Sequence, residues 1–295
     1  MADLQINDIT WQVDAGSFIP IIRLWNRQTK EFNSFPLKGY KFNFILSKDK
    51  FCTGYTYQAR YLECPYKNKI VGNFSSQCGF CERTQGFKSS FILGDLSHER
   101  SNEILSQEYC IYLGYFEPGI IKVGTANISR EKIRLIEQDC LIFAFIAKGR
   151  GYEIQKLEHL ISKKLNITEI VKSSHKFKYL SLKPDIKFAE EKLKSIFDKI
   201  KAEFESDIDY STLFFEKINV ENFLENAELF FPEKYKKFED TNIFGHFLGL
   251  RGRYLLLAAN NNVAALDINY LIGRNIEDYL NDYEYNFTEE QLSLI

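Results

Sequence analysis

Four of the six cysteines fall between residues 52 and 81, and no other feature restricts the fold of this chain as much. Cys78-Gly79-Phe80-Cys81 is a Cys-x-x-Cys knuckle, in which two thiolates from one tight turn can reach the same tetrahedral ion. Cys52 and Cys64 precede it and complete a set of four sulfurs. Residues 52–90 show little periodicity and several Gly, Asn and Ser breakers, so something other than a core must order them. The pattern predicts a structural metal site, with zinc as the ion.

Two other interpretations of these cysteines stay open at this point. Four thiolates also suit an iron-sulfur cluster. Alternatively, Cys78 and Cys81 form a redox pair, and Cys52 and Cys64 are unrelated buried thiols. His98 offers a substitute ligand, although a lone histidine after Gly-Asp-Leu also suits a capping or surface role.

Length and charge restrict the domain count and the class of partner. A chain of 295 residues allows one large core or two to three smaller units, and we expect the smaller units. Hydrophobic residues make up 45%, including 26 Phe and 17 Tyr, which supplies a core. The net charge of -2 provides no overall basic field, so any nucleic-acid footprint must be local.

The N-terminus and the apolar runs predict a soluble, cytoplasmic protein with no membrane partner. Residues 1–5 lack the features of a signal peptide, and no apolar run approaches the roughly 18 residues that cross a bilayer. In the cytoplasm, cysteines are more often metal ligands or buried thiols than partners in disulfides. We therefore expect Cys110 and Cys140, at apolar positions on the edges of predicted strands, to be core thiols. The oligomeric state stays open.

The periodicity predicts an α+β protein in which an antiparallel β unit combines the N- and C-terminal segments. Residues 1–50 form the N-terminal β unit, with an alternating strand at 40–46. Residues 51–100 form the zinc-binding insertion. Residues 206–295 are β-rich, with strands at 244–250, 253–259 and 263–268, and pack on the N-terminal unit.

Residues 105–205 form a central α/β module. Strands at 109–115 and 120–124, joined by Glu117-Pro118-Gly119, predict a hairpin. A helix at 129–138, a fully buried strand at 141–147 and amphipathic helices at 152–165 and 187–205 follow.

Several motifs carry a resemblance to known families. The order of Cys110-Ile111-Tyr112, Lys122-Val123-Gly124, a helix with two arginines and Glu158 on a later helix resembles the GIY-YIG nucleases. More specifically, the chain resembles an uncharacterised bacterial family, domain of unknown function 2797, over roughly residues 40 to 270. The motifs are Cys52-Thr53-Gly54, Cys64-Pro65, Gln77-Cys78-Gly79-Phe80-Cys81, Tyr112-Leu113-Gly114, Lys122-Val123-Gly124-Thr125, Arg134-Leu135-Ile136-Glu137-Gln138 and Gly249-Leu250-Arg251-Gly252-Arg253-Tyr254-Leu255.

The resemblance to GIY-YIG nucleases implies roles for five residues. Tyr112 would be the general base, and Glu158 would hold a divalent ion, Mg²⁺ or Mn²⁺. Arg134 would stabilise phosphate charge, with Arg130 as second candidate because residues four apart share a helix face. Lys122 stands where the family pattern has a second tyrosine; lysine can bind phosphate as a point charge, but the tyrosine's place in a proton relay does not pass to it automatically.

Each of these residues also has a structural explanation. Arg134 can pair with Glu137 or Glu131 on an exposed helix face. Glu158 can lie on a solvated flank, and Tyr112 can be an inward-facing strand aromatic.

A second candidate nucleic-acid site is the loop Arg251-Gly252-Arg253-Tyr254. Two arginines and an aromatic ring can hold a phosphate and a stacked base. The alternative is a tight hairpin in which the glycine supplies a positive φ and Arg251 and Arg253 face water.

These features together favour a protein that binds RNA or DNA, with metal-dependent phosphodiester cleavage in the central module. The alternative is a non-catalytic, zinc-containing adaptor that contacts RNA or protein.

Overall fold

The computed structural model describes residues 3–14, 17–58, 60–72, 75–85, 106–204, 213–219, 230–259 and 262–280. The protein is a mixed α+β structure with mostly antiparallel sheets, as the sequence predicts. It divides into two compact units, Met1–Gln85 with Asn226–Ile295, and Gly86–Glu225. Within the described ranges, no helix has the length and apolar character needed to cross a membrane.

The N-terminal part of the first unit consists of strands followed by one short helix. The strands are β1 Leu4–Asp14, β2 Ser17–Asn26, β3 Glu31–Pro36, β4 Lys41–Phe51, β5 Tyr55–Tyr57, β6 Arg60–Leu62 and β7 Lys69–Ile70, and the helix is α1 Gly79–Gln85. In β1 the side chains of Ile6, Ile9 and Trp11 are buried. A register shift between Ile6 and Asp8 in the pairing of β1 with β2 keeps these side chains on the core side.

The second unit contains a four-stranded antiparallel sheet. Its strands are β8 Glu108–Phe116, β9 Ile120–Asn127, β10 Ile142–Arg150 and β11 Leu213–Asn219, in the order β11-β10-β8-β9. The predicted hairpin and the predicted buried strand are confirmed as β8, β9 and β10. Strand β11 pairs with β10, although the sequence analysis placed residues 213–219 in the C-terminal segment.

Helices cover this sheet. They are α2 Glu131–Ile136, which follows a 3-10 turn at Ile128–Arg130, then α3 Gly151–Leu165, α4 Ser173–Lys178 and α5 Ile186–Glu203. The buried side chains of α3 include Ile154, Glu158 and Ile161. The predicted helices at 152–165 and 187–205 are confirmed as α3 and α5.

The predicted continuous helix at 129–138 is wrong. The side chain of Asn127 accepts a hydrogen bond from the Ser129 N–H and begins a 3-10 turn. Arg130 then has φ -130° and ψ 13°, outside the helical region, and only residues 131–136 are α-helical. Polar side chains that bond to nearby backbone groups favour such breaks.

The C-terminal part returns to the first unit. Its elements are β12 Lys236–Lys237, β13 Asn242–Arg251, β14 Tyr254–Ala259, β15 Asn262–Asp267, α6 Ile268–Leu271 and β16 Arg274–Tyr279. The sheet order is β12-β15-β14-β13-β4-β16-β1-β2-β3, with β7 also paired to β4. Because β16 lies between β4 and β1, the two ends of the described chain share one sheet. The three predicted C-terminal strands are confirmed as β13, β14 and β15.

Candidate functional site

The four cysteines of residues 52–81 converge in the first unit. Cys52 follows β4, Cys64 follows β6, and Cys78 and Cys81 flank the start of α1. Their Sγ atoms all lie within 4.8 Å of one another. The Sγ atoms of Cys64 and Cys78 are 3.8 Å apart. Tetrahedral bonds of about 2.3 Å to zinc would place two sulfurs about 3.8 Å apart, so the arrangement fits a four-thiolate metal site.

Backbone N–H groups point at these sulfurs. The Cys78 N–H donates to Cys52 Sγ at 3.2 Å. Burial raises the pKa of Cys52 to about 11. Hydrogen bonds from the N–H groups of Cys78 and Gly54 lower this pKa but do not offset the effect of burial. Burial also raises the pKa of Cys78, but hydrogen bonds from the Cys81 N–H and the Asn68 side chain outweigh it and bring the pKa to about 6. The donors favour thiolates, and a bound cation would favour them further.

Apolar side chains pack against the cysteine cluster. Cys52, Cys64 and Cys81 are buried, and Tyr55, Ile70 and Phe80 pack against them. Within the described ranges, these four cysteines are the one group of three or more His, Cys, Asp or Glu residues whose ligand atoms converge. The predicted convergence is therefore confirmed, and His98 lies outside the described residues.

A buried lysine fixes the loop before the knuckle, and the sequence analysis did not single it out. Lys50, at the end of β4, is 5% exposed. Its Nζ donates to the Asn269 carbonyl at 2.7 Å and lies 3.4 Å from the Ser75 carbonyl oxygen. Burial lowers its pKa, and the charge of Arg274 lowers it further. Lys50 thus joins the cysteine-bearing loop to α6.

The other two cysteines lie in the second unit and are buried. Cys110 Sγ contacts the Ala126 carbonyl at 3.4 Å, and Cys140 Sγ contacts the Tyr115 carbonyl at 3.9 Å. Burial raises both pKa values to about 12. The prediction that both are core thiols is confirmed.

A polar cluster in the second unit begins at Tyr112. This residue of β8 is 1% exposed and lies opposite Gly124 of β9. A Cβ at position 124 would lie 2.4 Å from the Tyr112 hydroxyl, so the tyrosine ring needs a glycine there. The hydroxyl lies 3.2 Å from Gln138 Oε1 and 3.1 Å from Gln138 Nε2. Burial raises the pKa of Tyr112 well above its ordinary value of 10.

Lys122 of β9 joins the same cluster. Its Nζ donates to Gln138 Oε1 at 2.6 Å and lies 5.6 Å from the centre of the Tyr112 ring. Burial lowers the pKa of Lys122 to about 8, and the charges of Lys176 and Arg134 lower it further, while Glu158 raises it. Lys122 is therefore an amine that can lose its proton near neutral pH.

Glu158 of α3 is 4% exposed, so the solvated-flank interpretation is wrong. Burial raises its pKa to about 7, and the charge of Glu169 raises it further. The pKa of Glu158 is lowered by the charge of Lys122 and by hydrogen bonds from the hydroxyl and N–H of Thr125. A buried carboxyl that ionises near pH 7 beside a lysine is typical of functional sites.

The two candidate arginines, Arg134 and Arg130, lie in different surroundings. Arg134, in the last turn of α2, is close enough for its charge to lower the pKa values of both Tyr112 and Lys122. Arg130 instead pairs with Glu137 at 2.9 Å, and its side chain is 61% exposed. Because α2 begins only at residue 131, Arg130 does not share a helix face with Arg134 as expected.

Sequence reasoning missed Gln138 and Lys176. Gln138 contacts Tyr112, Lys122 and, through Nε2, the Arg134 carbonyl at 3.2 Å. Lys176 of α4 donates to the Gln138 carbonyl at 2.5 Å. Gln138 could have been found because it lies four residues after Arg134. No local pattern points to Lys176.

The C-terminal arginines do not form an open site. Arg251 is 3% exposed and its guanidinium stacks 4.4 Å from the Phe231 ring centre. Arg253 is paired with Asp267 through Nε at 2.8 Å and through Nη2, and Tyr254 is 5% exposed. The expectation that both arginines face water is wrong, although Gly252 does have the expected positive φ of 56°.

Comparison with known proteins gives no relative: no family model, curated protein or solved structure matches this chain. The resemblance to GIY-YIG nucleases and to domain of unknown function 2797 stays a prediction.

Proposed function

We propose that this protein binds nucleic acid and hydrolyses phosphodiester bonds with a divalent metal ion at the polar cluster of Tyr112, Lys122, Gln138 and Glu158, here called the Tyr112 cluster. The observation that carries the proposal is that Tyr112 and Lys122 share Gln138 as a partner, with Glu158 and Arg134 within electrostatic range of both. Two strands and two helices supply these groups. The resemblance to GIY-YIG nucleases supports the same reaction class.

Lys122 is the group best suited to accept a proton. A general base works best when its pKa lies near the operating pH. The pKa of Lys122 is lowered to about 8, whereas burial takes that of Tyr112 above its ordinary value. We therefore assign proton acceptance to Lys122, and to Tyr112 the positioning of Gln138. This assignment differs from the family pattern, in which the first tyrosine is the base.

Glu158 is the residue that would hold the divalent ion. Mg²⁺ is commonly bound through one or two carboxylates together with substrate phosphates, so a single buried carboxylate fits. When bound, such an ion neutralises developing phosphate charge and polarises water. The carboxyl has a pKa of about 7, so binding of a cation competes with a proton in the neutral range.

At the cysteine cluster we propose zinc in a structural role. All four ligands come from protein, which leaves no open position for substrate and is typical of structural zinc. Binding of zinc supplies folding free energy to a loop-rich segment. An iron-sulfur cluster is the alternative, and its visible absorption would distinguish it.

A second candidate function is a non-catalytic adaptor that contacts RNA or protein. The burial of Tyr112 favours it, because a tyrosine that is 1% exposed as a residue is typical of a structural core. Under this function the polar cluster stabilises the hairpin, and the zinc site orders a contact surface.

The test is a screen of the purified protein against labelled single- and double-stranded DNA and RNA, with Mg²⁺ or Mn²⁺, beside Glu158→Ala. Cleavage that is lost in the variant supports hydrolysis and names the substrate. A salt-sensitive mobility shift without cleavage supports nucleic-acid binding alone. The absence of both overturns the proposed function and leaves the adaptor that contacts protein.

A further inference from the structure

We propose that residues 170–184, here called the basic segment, form the surface that binds the phosphate backbone beside the Tyr112 cluster. The inference rests on the proposed nucleic-acid function and names the contact surface for it. The basic segment contains four lysines and one histidine and no Asp or Glu, in a chain whose net charge is -2. The basic segment therefore supplies the local positive charge that binding of phosphates needs and that the net charge of the chain does not provide.

The basic segment is fixed to the β8–β9 hairpin. His175 Nε2 lies 2.7 Å from the carbonyl oxygen of Glu117, in the turn between the two strands. Leu180 is fully buried. Immediately before the segment, the Thr168 carbonyl accepts a hydrogen bond from the Val123 N–H of β9 at 3.0 Å. The lysines therefore stand on a surface that is held against the strands of the candidate site.

The inner end of the basic segment reaches the polar cluster. Lys176 Nζ donates to the Gln138 carbonyl at 2.5 Å and lies 4.9 Å from the Phe116 ring centre. Among neighbouring charges, Lys176 lowers the pKa of Lys122 most. A phosphate next to these two ammonium groups would relieve their mutual repulsion.

The other lysines of the basic segment, Lys172, Lys178 and Lys183, are exposed. Lys178 Nζ lies 5.4 Å from the Tyr179 ring centre, so one of these cations stands next to an aromatic ring. Lysines that neutralise phosphates release counterions, which makes binding salt-dependent. The exposed lysines would thus hold phosphates that flank the one at the cluster.

The lysine-rich helix α5 is a suitable contrast in the same unit. Its lysines alternate with acidic residues, and Lys194 pairs with Asp198 at 2.9 Å. Lys199 and Lys201 are exposed, like Lys172 and Lys178. A double substitution in α5 therefore matches one in the basic segment in charge and exposure.

The experiment measures the affinity of full-length protein for a fluorescein-labelled oligonucleotide at several salt concentrations. Lys172→Gln with Lys178→Gln is compared with Lys199→Gln with Lys201→Gln and with wild type. Each lost phosphate contact lowers the slope of log affinity against log salt by about 0.7 to 0.9. We expect the slope to fall by about 1.5 in the first variant and to stay at the wild-type value in the α5 variant.

Each outcome decides the inference. A smaller slope in the basic-segment variant alone supports it. Equal slopes in both variants and wild type, or an equal fall in both variants, overturn it while leaving the proposed function standing. Absence of binding by wild-type protein overturns the proposed function and this inference together. Circular dichroism of both variants checks that each is folded.

Discussion

Lys122 and Tyr112 share one partner: the ammonium donates to Gln138 Oε1 at 2.6 Å, and the phenol hydroxyl lies 3.2 Å from the same oxygen. Neighbouring strands supply the lysine and the tyrosine, and the segment after α2 supplies Gln138. A single carboxamide therefore sets the separation of the two groups that the proposed chemistry uses.

Replacement of Gln138 by leucine should destabilise the protein by about 1–3 kcal/mol. The change leaves a buried hydroxyl and a half-buried ammonium without their acceptor, which costs about that much. Urea unfolding measures the loss. Gln28→Leu is the control because Gln28 is exposed. Equal stability of the two variants would show that the Gln138 contacts contribute little.

Gly124→Ala should also destabilise the protein by about 1–3 kcal/mol, because the new Cβ would overlap the Tyr112 hydroxyl at 2.4 Å. Gly149→Ala is the matched control: a Cβ there meets the Ile154 side chain at 3.4 Å. Thermal unfolding of both variants compares them. A Gly124→Ala variant as stable as wild type would contradict the close packing of tyrosine on glycine.

The pKa of Glu158 predicts how stability depends on pH in metal-free protein. The folded state keeps this proton up to about pH 7, whereas the unfolded chain releases it near the ordinary value of 4.5. Between these values the folded state binds more protons, so the free energy of unfolding falls as pH rises. The total is about 3 kcal/mol, at about 1.4 kcal/mol for each pH unit.

Glu158→Gln should remove most of this pH dependence, since glutamine does not titrate. The control is Glu153→Gln in the first turn of α3, where the side chain is exposed. Urea unfolding between pH 4.5 and 8 gives the curves. Identical pH dependence in wild type and Glu158→Gln would contradict the raised pKa.

The cysteine cluster should hold one zinc ion per chain. Elemental analysis of purified protein measures the content, and Cys78→Ser should lower it strongly because it removes one of four ligands. Cys110→Ser should keep the metal, as Cys110 lies in the other unit. Equal zinc content in both variants, or iron with visible absorption, would contradict the zinc proposal.

Sequence patterns predicted those parts of the fold and site that depend on local spacing. Two strand-like runs joined by Glu117-Pro118-Gly119 identified the β8–β9 hairpin, and the 3.6-residue period identified α3, which buries Glu158. The Cys-x-x-Cys spacing and two earlier cysteines identified the four sulfurs that converge. In each case the signal lies within one element or within a short loop.

Features that depend on contacts between distant residues were not predictable from spacing. Lys176 and Gln138 meet although they are 38 positions apart, and Lys50 bonds to Asn269 across 219 positions. Arg130 was misassigned because the helix was assumed to be continuous. The pairing of Arg253 with Asp267 depends on the register of β14 and β15, which the sequence alone leaves open.

The single-turnover cleavage rate of Glu158→Gln, relative to wild type and Glu153→Gln, tests the central claim most directly. The measurement uses saturating enzyme, Mn²⁺ and the substrate that the screen identifies. A metal ligand contributes several kcal/mol of transition-state stabilisation, and about 1.4 kcal/mol corresponds to a tenfold change in rate. We expect Glu158→Gln to be slower by at least about 100-fold and Glu153→Gln to match wild type. Cleavage by Glu158→Gln at the wild-type rate would show that the reaction takes place elsewhere.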